Sequence, residues 1–291
     1  MGMPGPLQFE TPTALEYFAA LVADDESLSL VEAAAAIAQD DHPELDTQGV
    51  LADIDALAAK LKRRLPADAV PVQRLRWLNR FFFQELGFAG NVNDYYDAKN
   101  SYLHFVLQSR RGIPITLAVL YVEIASQIGL HASGVSFPGH FLVKLRMPQG
   151  EVVIDPFTGQ SMSREALDAL LVPLRRREGI PDGSPVSLAL FLQAASPREI
   201  IARMLRNLKE IHRSAEDWTR LHAVTQRLVI LLPGAWEERR DRGLAAAQLG
   251  AVKAAVADLS CYLENVPHAG DRFAINERLL ELGHGDPSRL H

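Results

Sequence analysis

The sequence predicts an α+β protein in three parts: a helical N-terminal region, a short mixed core and an all-α tail. Three observations carry this. Apolar residues recur every three or four positions through the first ninety residues. An apolar, helix-like run at 116–128 is followed by three short β-branched or aromatic runs. Beyond about residue 197 the helical spacing returns and contains an internal repeat. These shifts divide the 291 residues into 1–90, 91–190 and 197–291, in keeping with roughly 100–200 residues per domain.

Leu15, Phe18 and Val22 mark a first helix, and the alanine-rich VEAAAAIAQ a second. Leu51, Ile54, Leu57, Leu61 and Leu65 form one apolar face that ends in Lys62-Arg63-Arg64, cations placed to meet a helix C-terminus. Pro66 and Pro71 punctuate the chain. Leu75, Leu78, Phe82 and Leu86 then repeat the pattern up to a stop at Gly87. Gly112-Ile113-Pro114 breaks the chain before a buried helix, Thr116 to Ile128, closed by Gly129. SGVSF, FLVKLRM and EVVID follow, separated by Pro138-Gly139 and Pro148-Gln149-Gly150, and read as an antiparallel meander. The breaker-rich EGIPDGSP at 178–185 closes this part.

In the tail, Pro233 and Pro267 lie 34 residues apart, each just after an apolar helix. Gly243, Gly250, Ala255 and Pro267 fall where a tetratricopeptide repeat needs small residues and a terminal proline. The preceding unit has Trp218 at its aromatic position, but Lys209, Glu216 and Leu221 miss the small positions. Two helix pairs rarely stand alone, so this tail is expected to stack on the rest of the chain.

Composition narrows the function classes. A net charge of −6 argues against a dedicated nucleic-acid binder. Arg175-Arg176-Arg177 and Arg239-Arg240-Arg242 read as solvated helix faces. A single cysteine, Cys261, forms neither an intramolecular disulfide nor a cysteine-rich zinc site, and reads as a small buried apolar residue. The nine histidines show no ligand spacing, and neither GxGxxG nor GxxxxGK[ST] occurs, so no metal or cofactor is expected. The start lacks the blocks of a signal peptide, and ITLAVLYVEIASQIGL is short for a bilayer and carries Glu123, so a cytoplasmic protein without a membrane partner is expected.

The meander holds the candidate chemistry. If Met147 to Gly150 form a four-residue turn, Arg146 faces Glu151 and Leu142 faces Asp155. His140 then lies diagonally across from Asp155, with backbones roughly 7–8 Å apart. A histidine oriented by a carboxylate is the base half of a nucleophilic triad. The alternative is an ordinary turn-side histidine and an Asp-Pro turn opener.

The run NSYLHFVLQSRRGIPITLAVLYVEIASQIGL, followed by GVSFPGHFLVKL and VVIDPFTG, resembles the bacterial SirB-type transglutaminase-like family. Asn100-Ser101-Tyr102-Leu103, Arg111-Gly112-Ile113-Pro114, Pro138-Gly139-His140-Phe141 and Asp155-Pro156-Phe157 are specific in combination. The likeness covers about 40–190 strongly and 197–282 more weakly. It implies a papain/transglutaminase-like core, with the family's histidine on His140 and its aspartate on Asp155. The thiol that active members carry at the start of the buried helix falls on Pro114, which has no nucleophile. Thr158-Gly159-Gln160 also departs from the family pattern, which has two glycines there.

The expectation is therefore a non-catalytic core, a pseudoenzyme, that binds a protein or peptide in its old cleft, with its oligomeric state open. The alternative is a hydrolase or acyl-transferase that uses His140 and Asp155 with a Ser101 or Thr116 hydroxyl. Ser101 otherwise caps the helix beginning YLHFVLQS, and Thr116 otherwise caps the buried helix. Asn100, Ser101, Arg110 and Arg111 are the candidate binding residues; the arginines suit a ligand carboxylate or an ion pair with Asp94 or Asp97.

Overall fold

In the computed structural model, which describes residues 12–180 and 187–284, α1 (Ala14–Leu21) opens on a reciprocal cap. The Thr13 hydroxyl accepts from the Glu16 N–H, and the Glu16 carboxylate accepts from the Thr13 N–H. Helix α2 (Leu30–Ala36) buries four alanines, whose small side chains let neighbouring helices approach closely. Helix α3 (Thr47–Lys62) buries Val50, Ile54, Ala58 and Leu61. Its inward face is thus turned from the expected leucine set, and Leu51 and Leu57 are only half-buried.

Helix α4 (Pro71–Asn79) starts with Pro71 in its first turn and runs on into a π-helical stretch, Arg80–Glu85. There the Leu86 N–H donates five residues back to the Phe81 carbonyl before Gly87 ends the run at φ +74°. Strand β1 (Ala89–Gly90) pairs in parallel with β2 (Arg111–Gly112) on the far side of α5 (Leu103–Ser109). Helix α6 (Pro114–Gln127) is buried along most of its length, and Gly129 follows it at φ +77°.

Strands β3 (His131–Val135), β4 (Leu142–Met147), β5 (Gly150–Asp155) and β6 (Gln160–Ser161) form an antiparallel sheet in that order. Alternation along β4 sends Val143 and Leu145 into the core around α6, and Leu142 into a second cluster with Leu167 and Leu171. Those leucines belong to α7 (Arg164–Leu170) and the residue after it; α8 (Val172–Arg177) and α9 (Leu188–Phe191) follow. Residues 181–185 of the breaker-rich stretch lie outside the described residues.

Five helices complete the chain: α10 (Pro197–Ser214), α11 (Trp218–Leu231), α12 (Trp236–Gln248), α13 (Val252–Asn265) and α14 (Arg272–His284). Gly243 lets α12 and α13 close on each other, since a methyl there would lie 3.0 Å from Leu259 Cγ and Asp258 Cβ. One continuous apolar core runs from Phe18 through α6 to Leu205 and Leu228, so α10 and α11 are part of it. Arg227 forks onto Asp40 at 2.6 and 2.7 Å, and Arg198 reaches Asp25 and the Val22 carbonyl, tying this end to the N-terminal helices.

The second arginine cluster is not a solvated face. Arg242 forks onto Asp258 and Arg240 pairs with Asp241 and Asp271, carboxylates supplied largely by the chain that follows. Cys261 is half-buried rather than buried, its sulfur 3.6 Å from Arg239 Nη1 and Asn265 Nδ2. Among the described residues no helix is long and apolar enough to cross a membrane.

Candidate functional site

The β4–β5 hairpin positions the first pair. Arg146 faces Glu151 and Val143 faces Ile154, which places Leu142 opposite Asp155 and swings His140 toward the carboxylate. His140 Nε2 lies 2.9 Å from Asp155 Oδ1. The same oxygen accepts from the Phe157 N–H at 2.8 Å, and Oδ2 accepts from the Thr158 hydroxyl at 3.0 Å. Burial pushes the Asp155 pKa up, but the bonds from His140 and Phe157, the His140 charge and Thr158 outweigh it, and the carboxyl is held below its ordinary value. An ionised Asp155 only accepts, so Nε2 is the nitrogen that carries hydrogen.

The loop carrying His140 is clamped from α10. Arg203 donates to the Ser136 hydroxyl and to the carbonyls of Phe137 and His140, and its guanidinium lies 5.4 Å from the centre of the Phe141 ring. Nothing in the sequence pattern singles out Arg203, because its partners are about sixty residues upstream.

Neither candidate hydroxyl is bonded to His140. Thr116 Oγ1 donates to the carbonyls of Asn100 and Ile113, at 2.8 and 3.0 Å. Thr116 is therefore not the cap of α6; Ile113 occupies the cap position and Pro114 is the first helical residue. Ser101 is wholly buried with its Oγ unpartnered, and it caps nothing, since Tyr102 precedes α5.

The two arginines point elsewhere. Arg110 ends α5 in the left-handed region, at φ 60°, and stacks its guanidinium 4.7 Å from the Phe88 ring centre. Arg111 donates to the Gly87 and Arg110 carbonyls. Neither forms an ion pair with Asp94 or Asp97. The backbone turn at Arg110 aims these side chains along the α5 end rather than toward those carboxylates.

Asn100 uses its whole amide internally. Its Oδ1 accepts from Asn91, and its Nδ2 donates to the carbonyls of Asp94 and Tyr95. It thereby fastens a strap, residues 91–97, that presents Tyr95 and Tyr96. The Tyr95 ring lies 5.9 Å from that of Phe157, next to the Asp155 turn, and Gly90 is bare because a methyl there would overlap the Phe157 ring. Burial raises the Tyr95 hydroxyl above its ordinary value, Tyr96 adds to this, and Arg203 opposes it.

Between the strap and α10 lies a cleft of about 600 Å³, within the usual range of ligand pockets. Tyr95, Tyr96, Ile113, Asn207, Glu210 and Ile211 line most of it, so it opens beside the start of α6. Sequence reading passed over the two tyrosines. The signal available was their adjacency inside NVNDYYDAKN, a run of turn-forming residues where two aromatics have no helix or strand face to occupy. Among the described residues, no group of three or more His, Cys, Asp or Glu is placed to hold a metal ion.

Residues 48–206 match the model of the transglutaminase-like superfamily, and 208–280 match a tetratricopeptide-repeat model. A UPF0162 protein of Xylella fastidiosa (strain Temecula1) is 37% identical over 261 residues, which cover 89% of this chain and 92% of the relative. A UPF0162 protein of Vibrio cholerae is 28% identical over 274 residues, covering 92% and 97%. The UPF0162 protein YchA of Escherichia coli (strain K12) is 28% identical over 229 residues, covering 78% and 81%. No solved structure matches the chain at a significant level.

Proposed function

The chain belongs to the transglutaminase-like superfamily, with tetratricopeptide-type repeats behind its core, and from that footing we propose that it is a protein-interaction module. In this reading the core holds an extended segment of a partner without cleaving or acylating it. The core, 91–190, supplies one wall of the cleft through the strap and Ile113, and the tail from 197 supplies the other through α10; the helical region 1–90 packs behind them. The observation that carries the reading is Pro114. It stands at the first turn of α6, where the resemblance places the family's thiol, and its side chain has no atom that can attack a carbonyl.

Two further observations support it. The hydroxyl nearest the helix start, on Thr116, is spent on two carbonyls, and Ser101 lies at 0% exposure beneath the strap's clasp. The half-exposed Tyr95 and the 79% exposed Tyr96 give the cleft a recognition surface of aromatic faces. Asp155 then serves to hold the turn that carries Phe157, against which the Tyr95 ring rests, and His140 adds one of its three donors.

The test is site-specific photocrosslinking from position 96 in living bacteria, with mass spectrometry of the captured chain. The expected result is an intact partner, captured in equal yield by the wild type and His140→Ala. A cleaved or covalently acylated partner that disappears in His140→Ala would overturn the reading.

A further inference from the structure

We propose that the cleft between the strap and α10 takes an arginine side chain presented by an extended segment of the partner. This deepens the interaction reading and rests on it.

The argument starts from what lines the cleft. Tyr95 and Tyr96 stand edge to face, ring centres 5.2 Å apart and planes at 78°, and Tyr96 is the most exposed aromatic among the described residues. Ile113 and Ile211 supply apolar floor and wall. Asn207 adds one amide and Glu210 a carboxylate; among the described residues no lysine or arginine lines the cleft. Asp94 and Asp97 belong to the same strap, and the chain as a whole carries −6. The field at this mouth therefore favours a cation.

Among cations, the guanidinium fits best. Its plane stacks on an aromatic face, its weak hydration lowers the cost of leaving water, and its fork suits a carboxylate. Glu210 is available to it: the carboxylate is exposed, and its present partner, Arg213, is an exposed neighbour three residues along the helix. Arg213 keeps Asp241 when it lets Glu210 go. The methylenes of an incoming arginine would cover Ile113 and Ile211, apolar surface that an acidic or small side chain would leave wet. Arg203, the nearest cation behind Tyr95, does not compete for the site, because its guanidinium is committed to Ser136, Phe137 and His140.

The experiment uses the full chain and three synthetic pentapeptides with blocked ends, identical except for a central arginine, citrulline or glutamate. Citrulline keeps the shape of arginine and removes the charge. Binding is followed by NMR, with tyrosine ring signals assigned through Tyr96→Leu. The expected result is binding that perturbs Tyr95 and Tyr96, with arginine preferred over citrulline by roughly three- to tenfold and glutamate weakest. In Glu210→Gln, an exposed substitution on a well-formed helix, the arginine preference should fall to near one. In Tyr96→Leu both peptides should weaken.

Equal binding of arginine and citrulline to the wild type, at the same tyrosines, overturns the arginine assignment and leaves the cleft reading standing. An arginine preference that survives Glu210→Gln also overturns it. No perturbation of either tyrosine by any of the three peptides removes the cleft itself as a recognition site.

Discussion

Two carboxylate-centred networks in this molecule, one in the tail and one in the core, differ in closure. In the tail, the Lys209 ammonium donates to Glu238 at 2.6 Å and Asp241 at 2.9 Å. Those carboxylates accept in turn from Arg206, Arg213 and Arg240. Every charge there is met by protein, so the cluster fastens α10 to α12 and offers nothing to a ligand. In the core, Asp155 is equally well met, but His140 bonds through Nε2 alone, and its side chain remains 21% exposed. A closed network specifies packing; an open one leaves part of a polar side chain to solvent.

The comparison breaks first at its strongest member. Lys209→Met keeps the volume of the side chain and strips two buried carboxylates of their shared cation. Removal of one partner from a buried pair costs about 3–5 kcal/mol, and the lower end is expected because three arginines remain. Urea unfolding should show that loss. A change under about 1 kcal/mol would mean that Lys209 is not what closes the tail cluster.

The core pair sharpens the contrast through asymmetry. Asp155→Ala leaves the Phe157 N–H, the Thr158 hydroxyl and His140 Nε2 without their acceptor, a loss of about 1–3 kcal/mol. His140→Ala leaves Asp155 with two of its three donors and opens onto solvent, so about 1 kcal/mol or less is expected. Equal losses from the two variants would make the histidine as structural as the aspartate.

How much of this was legible follows from where the partners lie. The β4–β5 register was readable because Pro148-Gln149 set a short turn and the flanking runs alternate, so Arg146 meets Glu151 as the spacing requires. The repeat was readable because Gly243, Ala255 and Pro267 report local close packing between adjacent helices. The inward face of α3 was misjudged because Ala58, not a leucine, occupies its closest approach. The arginines of α12 were misread for a different reason: Asp258 and Asp271 meet them only once α13 and the turn after it have stacked. The same holds for Asn100, whose strap partners give no periodic signal, and for Thr116, whose hydroxyl prefers carbonyls that the chain break brings near.

A last test concerns a third kind of polar group, half-buried, neutral and unpaired. His104 sits between His42, 5.0 Å away ring to ring, and Phe105, 4.3 Å away, with Nδ1 buried and unpartnered. Burial, reinforced by the charge of His42, depresses its pKa to about 4. His212, whose Nε2 is likewise unpartnered, is depressed by burial too. The unfolded chain then binds more protons than the folded one between the ordinary histidine value and that depressed one. Stability is complete above about pH 6.5 and drains away as pH falls toward 4. For His104, half-buried and so partly screened, the loss is roughly 1 kcal/mol, or about 2–4 °C in Tm. His104→Phe should keep the ring packing and flatten that part of the Tm profile between pH 6.5 and 4, leaving the slope due to His212 and His222, both also lowered by burial. An unchanged profile in His104→Phe would mean that the ring is met by solvent after all, and that its neighbours, not its own burial, set the acid response.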